Sequence, residues 1–263
     1  MAQALLQPLL DSGQLTPDAV CAAVASEASA ERLRQQLQLR VGTDLLPAWQ
    51  APVVLLAVKP QQVDSLAASL AACEPVIGAE AGSPGPRRLL ISVLAGVSLV
   101  RLQRLFPTSL CVRAVPNTPA LVRAGLTALA WGDGVQADQR AWVRALFAHV
   151  GEVLELPESQ LDAFLALTSS GPAFVALMAE AMADGAVAAG LPRLLAQHLA
   201  HRTLAGTAAL LHERELHPGQ LKDMVTSPAG TTIAGLRQLE RAGLRSALLE
   251  AVLAAAERSR ELA

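Results

Sequence analysis

Short apolar runs alternate with segments of helical periodicity through the first part of the chain. Apolar runs predict strands over residues 18–25, 39–42, 53–58, 89–93, 110–114, 126–131 and 152–156. Apolar residues at helical spacing predict helices over residues 2–12, 30–39, 61–72, 99–106 and 137–149. The run VVLLAV at 53–58 is continuously apolar, as in a strand that is buried on both faces of a parallel sheet. Strands that alternate with helices predict a doubly wound α/β domain.

The pattern changes near Pro157, after which every apolar segment has helical spacing. Helices are predicted over residues 159–167, 172–189, 191–213, 220–225, 231–242 and 244–262. Gly190 is expected to end one of these helices as a C-cap, and Ser98 to cap an earlier one. We therefore predict an α/β domain over residues 1–157 and an all-helical domain over residues 158–263. A surface loop is expected at 78–86, which is rich in glycine and proline.

Composition and charge narrow the classes of protein. Apolar residues make up 52% of the 263 residues, but Glu180 and Asp184 interrupt the most apolar region, so no membrane span is predicted. The first residues lack a basic segment followed by an apolar one, so no signal peptide is predicted. A net charge of −2 gives no reason to expect a nucleic-acid partner. We expect a soluble, cytoplasmic protein.

The cysteines and histidines lack the spacing of a disulfide framework or a metal site. Three widely spaced cysteines without a CxxC pattern are expected to be reduced, namely Cys21, Cys73 and Cys111. His198 and His201 can share a helix face, but no acidic or cysteine residue accompanies them locally. No metal site is predicted.

Residues that are suited to ligand contacts follow three of the predicted strands. They are Ala57, Val58, Lys59 and Pro60 after the first, Ala95 and Gly96 after the second, and Asn117 after the third. Ligands of open α/β sheets bind beyond the carboxyl ends of the strands, so these residues predict a cleft. The alternative is that they form ordinary turns and that Lys59 is a solvated surface lysine.

The segment HPGQLKDMVTSPAGTTIAGLRQLE, residues 217–240, combines a helix break with a helix start. Pro228 cannot continue a preceding helix, and Gly230 leaves the backbone with little steric restriction. Thr231 and Thr232 fall where the first amides of the next helix have no partner within the helix. Free amides, the positive end of the helix dipole and two hydroxyls suit a small carboxylate with a polar group nearby. An ordinary capped helix start is the alternative.

This segment resembles the signature of the pyrroline-5-carboxylate reductases, which catalyse the last step of proline biosynthesis. The residues that carry the resemblance are Pro218, Leu221, Lys222, Asp223, Val225, Ser227, Pro228, Gly230, Thr232, Ala234, Leu236 and Glu240. The motifs AVKPQQV, ISVLAGVSL, VRAVPNTP, SSGPAF and GLPRLLA are similar to the family in order and spacing. The resemblance implies a Rossmann-like doubly wound parallel sheet followed by an all-helical dimerisation domain. It also implies NAD(P)H-dependent reduction of 1-pyrroline-5-carboxylate to L-proline by a homodimer or a higher homo-oligomer.

The resemblance implies roles for individual residues. Thr232 would be catalytic, with its hydroxyl near the ring nitrogen of the substrate. The substrate carboxylate would be held by Ser227 and by the amides of Gly230 and Thr231. The cofactor would be lined by Ala57, Val58, Lys59, Pro60, Ala95, Gly96 and Asn117.

The start of the chain departs from the family pattern. A dinucleotide-binding domain opens with a strand and a GxGxxG or GxGxxA turn, whereas this chain begins Met1-Ala2-Gln3. Met1 and Ala2 resemble the last two positions of that fingerprint, and would contact the cofactor there. We expect the natural protein to begin upstream, because loss of a central strand would expose the backbone of both its neighbours. A truly shortened chain with weakened cofactor binding is the alternative.

The resemblance favours NADPH as the cofactor. Glu27 would repel a 2′-phosphate and leaves NADH as an alternative, whereas Ser26, Ser29 and Arg32 could receive the phosphate. A related imine or hydroxyacid reductase is a second interpretation, although such enzymes place a lysine on the interdomain helix and residues 168–182 contain none. A third is a non-catalytic oligomeric paralogue, for which the absent fingerprint argues.

Overall fold

The computed structural model describes residues 1–77 and 87–261, so the loop predicted at 78–86 lies outside the described residues. Contacts between Cα atoms divide the chain into two compact units. The first comprises Met1–Ser169 together with Ala256–Ala263, and the second comprises Ser170–Ala255. The predicted domain boundary after residue 157 stays a prediction.

The first unit contains strands and helices in alternation. Its strands are β1 Cys21–Ala23, β2 Arg40–Gly42, β3 Val53–Leu56, β4 Arg88–Ser92, β5 Ser109–Pro116, β6 Gly125–Trp131 and β7 Gly151–Glu155. Its helices are α1 Ala2–Asp11, α2 Glu27–Leu37, α3 Leu46–Trp49, α4 Val63–Ile77, α5 Leu99–Leu105, α6 Ala137–Ala148 and α7 Leu161–Thr168. The predicted elements are present with shifted ends, and Ser98 caps α5 by accepting a hydrogen bond from the amide of Arg101 at 3.3 Å. The single turn α3 was not predicted from the sequence.

The strands form two sheets. β1 and β2 pair in parallel, and a five-stranded sheet has the order β3-β4-β5-β6-β7. All pairs in the larger sheet are parallel except β5 with β6. The two strands of that pair are joined by a 3₁₀ turn, Thr118–Val122, which is too short for the helical crossover that a parallel pair needs. The predicted Rossmann-like sheet is confirmed, with one antiparallel pair inside it.

The strand β3 differs from its prediction. VVLLAV was expected to be buried on both faces, but only Leu56 is buried, and Leu55 is 39% exposed. β3 pairs with β4 on one side, and no strand among the described residues pairs with its other side. The expectation of full burial was wrong, because Val54 and Leu56 pack into the cluster on one face of the sheet whereas Leu55, on the other face, is left exposed. A strand ahead of Met1, which the family resemblance implies, stays a prediction.

Helices cover both faces of the larger sheet. Leu90 of β4 belongs to the hydrophobic cluster that contains Leu102 of α5, whereas the next residue, Ile91, belongs to the cluster that contains Leu9 of α1 and Val143 of α6. Successive strand residues point to opposite faces, so the two clusters are the two layers of a doubly wound domain. On its other side α1 packs Leu6 and Leu10 against the cluster of the two-stranded sheet. α1 therefore joins both sheets.

The second unit is helical. It contains α8 Gly171–Ala188, α9 Arg193–Glu213, α10 Pro218–Met224, α11 Thr231–Arg241 and the greater part of α12 Leu244–Glu261. α8 and α9 pack through small residues, Ala183, Ala196 and Ala200. Many larger apolar side chains stay exposed, including Leu177 at 66% and Leu194 at 82%. An apolar surface of this kind marks an interaction face.

Within residues 1–77 and 87–261, one segment is apolar enough to cross a membrane by length and composition alone, Glu158–Ala188, and 11% of its most apolar window is buried. The segment contains two helices, α7 and α8, separated at Ser169-Ser170. Asp162 of α7 accepts a hydrogen bond from Ser259, so one turn of this segment takes part in polar packing.

Candidate functional site

The predicted cofactor residues of the larger sheet lie at one edge. Ala57, Val58, Lys59 and Pro60 follow β3, Ala95 and Gly96 follow β4, and Asn117 follows β5. These three strands are adjacent and parallel, so their carboxyl ends meet at the same edge. The structure therefore brings these residues to one side of the sheet, where an extended ligand can lie across the strand ends.

The loops at this edge offer backbone groups. Ala57 and Lys59 are exposed, and Ala95 is half-buried. Gly96 is buried with a φ of +74°, a left-handed conformation that favours glycine. The Ser92 hydroxyl accepts a hydrogen bond from the Leu94 amide at 3.4 Å and steadies the start of the second loop. Exposed main chain next to a tight glycine turn fits a phosphate-bearing cofactor.

Asn117 is a structural anchor in this edge. Its side chain is buried, and its Nδ2 donates to the Thr168 carbonyl at 3.0 Å. Its Oδ1 accepts from the Leu126 amide at 2.8 Å. Ser169 adds a hydrogen bond from its hydroxyl to the Pro116 carbonyl at 3.3 Å. Because both ends of the Asn117 amide are engaged, a contact with a cofactor would use its backbone or its one remaining N–H.

The other predicted cofactor residues lie on neighbouring elements. Met1 and Ala2 begin α1, which contacts the turn Thr118–Val122 that follows Asn117. Ser26 follows β1 and caps α2, because its hydroxyl accepts a hydrogen bond from the Ser29 amide at 3.3 Å.

Glu27 is part of an exposed ion-pair cluster. Arg34 donates to Glu27 Oε1 at 2.7 Å and to Glu31 Oε2 at 3.0 Å. The hydrogen bonds to Glu27 and Glu31 raise the pKa of Arg34. Hydrogen bonds from Gln35 and Arg34 lower the pKa of Glu31. The Glu27 carboxylate therefore follows Ser26, one of the predicted cofactor residues, and is paired with Arg34.

The predicted substrate residues occupy one loop and the helix start after it. The Gly230 amide donates to the Ser227 carbonyl at 3.1 Å and closes a turn with Pro228 and Ala229 at its corners. Proline followed by a residue with positive φ is the arrangement of a type II turn, and Ala229 has a φ of +58°. A Cβ at Gly230 would collide with the Ser227 hydroxyl, which is packed against it. The turn therefore holds Ser227 beside the start of α11.

The start of α11 is open. Gly230 is its N-cap, and no side chain of the described residues caps this end. Thr231 and Thr232 are its first two residues, exposed and half-buried respectively. The free amides and the positive end of the dipole provide a site for an anion, with the threonine hydroxyls beside it.

In the described part of the chain, two of the cavities lie next to elements that carry other residues. One of about 350 Å³ is at the amino ends of β3 and β4, the opposite edge from the predicted cofactor residues, and is lined by Val53, Leu89, Asp138, Gln139 and Trp142. The other, of about 300 Å³, lies between α10 and α11 and is lined by Lys222, Asp223, Thr226, Ile233, Leu236, Arg237 and Glu240. Lys222 is thus beside the substrate loop, with its carbonyl bonded to the Thr226 hydroxyl at 2.6 Å. Among residues 1–77 and 87–261, no group of histidine, cysteine and acidic residues could hold a metal ion.

Arg113 was not among the residues predicted from the sequence, although a charged residue inside the apolar run LCVRAV was a signal. The side chain of Arg113 is 4% exposed and is paired with Glu158 and Asp162.

Family models match both parts of the chain. Residues 158–262 match the pyrroline-5-carboxylate reductase dimerisation family, and residues 1–82 match the NADP oxidoreductase, coenzyme F420-dependent, family. The pyrroline-5-carboxylate reductase of Synechocystis is 49% identical over 263 residues, which are 100% of this chain and 94% of the relative.

Solved structures of pyrroline-5-carboxylate reductases superpose on nearly the whole chain. The 1-pyrroline-5-carboxylate reductase of Streptococcus pyogenes superposes with a TM-score of 0.87 at 28% identity, over 99% of this chain and 95% of that one. The pyrroline carboxylate reductase of Plasmodium falciparum, solved with NADP bound, superposes with a TM-score of 0.86 at 25% identity, over 99% of this chain and 93% of that one.

Proposed function

The chain belongs to the pyrroline-5-carboxylate reductase family, and we propose on that premise how its residues reduce 1-pyrroline-5-carboxylate to L-proline with NAD(P)H. The observation that carries the assignment of roles is the open start of α11 behind the Ser227–Gly230 turn. This end of the helix presents amides and hydroxyls to a small carboxylate that carries a nitrogen nearby.

The substrate loop holds and orients the substrate. The Thr231 amide and the Ser227 hydroxyl bind the carboxylate. The Gly230 amide, which was predicted to take part, instead donates to the Ser227 carbonyl at 3.1 Å and holds the turn that brings these two groups together. The Thr232 hydroxyl then hydrogen-bonds the ring nitrogen and stabilises it as the imine becomes an amine. Fixing both groups holds the imine carbon in one orientation, which contributes to catalysis by lowering the entropy lost on reaching the transition state.

The edge formed by the ends of β3, β4 and β5 holds the cofactor. Ala57 to Pro60 and the loop with Ala95 and Gly96 line this edge. Asn117 stabilises the edge through its side-chain hydrogen bonds with Thr168 and Leu126. Met1 and Ala2 contact it from α1, and Ser26 from the end of β1. The cofactor supplies the hydride, and the chain supplies position and electrostatics.

The exposed apolar side chains of α8 and α9 favour a homodimer, in which a second copy covers them. The dimer is the smallest assembly that removes this surface from water. A soluble, cytoplasmic enzyme is proposed, because a second copy of the chain accounts for the apolar surface of Glu158–Ala188 without a membrane.

The test of the Thr232 role uses a matched pair of variants. Thr232→Val keeps the shape of the side chain and removes the hydroxyl, whereas Thr231→Val makes the same change one residue earlier and leaves the Thr231 amide in place. We expect Thr232→Val to lower kcat about 10- to 100-fold, because it removes one hydrogen bond that strengthens in the transition state. Thr231→Val should retain activity close to that of the unaltered protein.

NADPH oxidation with 1-pyrroline-5-carboxylate is the assay, and NADPH binding is measured separately by calorimetry. Equal loss in both threonine variants would refute the role of Thr232. An unaltered protein that neither binds NADPH nor oxidises it would refute the enzyme and favour the non-catalytic paralogue.

A further inference from the structure

An ion-pair network surrounds a buried arginine of the larger sheet. Arg113, in β5, is 4% exposed. Its Nη1 lies 3.1 Å from Glu158 Oε1, and its Nη2 lies 3.6 Å from Asp162 Oδ1. One guanidinium therefore faces two carboxylates from the segment that begins α7. A buried charge needs such partners, since burial without them carries a large desolvation penalty.

Glu158 makes a second contact, outside its ion pair with Arg113. The same oxygen, Oε1, accepts a hydrogen bond from the Leu99 amide at 2.7 Å. Leu99 is the first residue of α5, where the amide has no partner inside the helix. Ser98 caps only the Arg101 amide, so Glu158 supplies a further cap from a distant part of the chain.

The helix start that Glu158 holds follows directly on a cofactor loop. Residues 93–98 connect β4 to α5 and contain Ala95 and Gly96. The Ser92 hydroxyl restrains the beginning of this loop through the Leu94 amide. Glu158 restrains its end through Leu99. Because Glu158 also contacts Arg113 in the central strand β5, it connects the end of this loop to the rigid part of the sheet.

The network continues to the last helix. Asp162 Oδ1 accepts a hydrogen bond from the Ser259 hydroxyl at 2.7 Å, and Ser259, near the end of α12, is buried. Each carboxylate therefore has a different second partner, Glu158 the cofactor loop and Asp162 the end of the chain. This division allows the two to be separated by mutation.

We infer that Glu158 is a positioning residue for the cofactor, which sets the loop 93–98 by holding the Leu99 amide and Arg113 with one oxygen. The inference rests on the proposed function, because it takes this loop as part of the cofactor site. An ion pair with a buried member contributes little to stability compared with well-packed apolar residues, so a role in fixing geometry is the better account of the Arg113–Glu158 pair.

The test compares Glu158→Gln with two controls. Glu158→Gln keeps an acceptor oxygen but loses the charge, and we expect the KM for NADPH to rise about tenfold, because a charge-assisted hydrogen bond is roughly twice as strong as a neutral one. The KM for 1-pyrroline-5-carboxylate should stay within about twofold, since its proposed contacts lie in the Ser227–Thr232 loop. Asp162→Asn leaves the Leu99 contact in place. Glu155→Gln, in β7, alters a different ion pair, the one that Glu155 makes with Arg144 of α6. Both controls should leave the KM for NADPH unchanged.

Hydrogen exchange gives a measurement that does not depend on catalysis. In Glu158→Gln the amides of residues 93–102 should exchange faster than in the unaltered protein, while those of β5 and β6 should not. If Glu158→Gln does not accumulate, Glu158→Asp keeps the charge, shortens the reach to Leu99 and should give the same exchange pattern. Unchanged exchange in residues 93–102, or an equal rise in both KM values, would overturn the inference. Faster exchange in an enzyme without activity would retain the positioning role and refute the proposed function alone.

Discussion

The substrate loop contains a strained residue whose replacement should stabilise the protein. Ala229 has a φ of +58° between Pro228 and Gly230, a conformation that residues with a Cβ rarely adopt. Glycine takes this conformation at the same corner of a type II turn without steric cost. Ala229→Gly therefore relieves the strain and leaves the hydrogen bond from Gly230 to Ser227 in place.

The expected magnitude is the difference between two terms. The left-handed conformation costs an L-residue about 1–2 kcal/mol. Glycine loses more conformational entropy on folding, which costs about 0.5–1 kcal/mol. The free energy of unfolding should therefore rise by about 0.75 kcal/mol, the middle of a range of about 0–1.5 kcal/mol, which corresponds to an increase in Tm of roughly 1.5–3 °C for a chain of this size.

Urea and thermal unfolding measure the change against a matched control. Ala242 follows α11, is exposed and has a φ of −76°, so Ala242→Gly relieves no strain. It should lower the free energy of unfolding by about 0.4–1 kcal/mol through the unfolded state alone. If Ala229→Gly destabilises the protein as much as Ala242→Gly does, the strain assigned to Ala229 is refuted.

Further predictions concern the cofactor preference, the loop and a buried thiol. Glu27→Ala should raise the ratio of kcat/KM for NADPH over NADH by roughly 3- to 10-fold by removing a repulsive carboxylate, whereas Glu31→Ala, in the same ion-pair cluster, should not. Gly230→Ala should raise the KM for 1-pyrroline-5-carboxylate by displacing the Ser227 hydroxyl, and an unchanged KM would contradict that packing. Burial raises the pKa of the Cys111 thiol from 9.0 to about 11. The unfolded state therefore releases this proton first, and the free energy of unfolding should fall as pH rises from about 9 to 11, a fall that is absent in Cys111→Ala.

Local patterns were sufficient for most of the elements. Apolar runs located the strands from β3 to β7, because buried strands need continuous apolar faces. Pro228 and Gly230 located the break before α11, since these residues restrict or free the backbone wherever they stand. The substrate loop could therefore be predicted from the sequence as a helix start. The positive φ of Ala229 could not be predicted, because alanine has no preference for this conformation.

Long-range pairing was beyond the sequence pattern. VVLLAV indicated a strand buried on both faces, but the exposure of Leu55 depends on which elements of the fold pack on its face of β3. The antiparallel direction of β6 depends on the short path from Asn117 to Gly125, which leaves no room for a crossover helix.

The sequence by itself determined the order of strands and helices, the turn at Pro228 and the open helix start at Thr231, because these follow from the conformational preferences of neighbouring residues. Only the tertiary structure decided that the ends of β3, β4 and β5 form one edge, that both ends of the Asn117 amide are engaged, and that Glu158 caps α5. Those facts join residues far apart in the chain. Burial makes such contacts necessary, since a buried charge or amide must find its partner wherever the fold brings one.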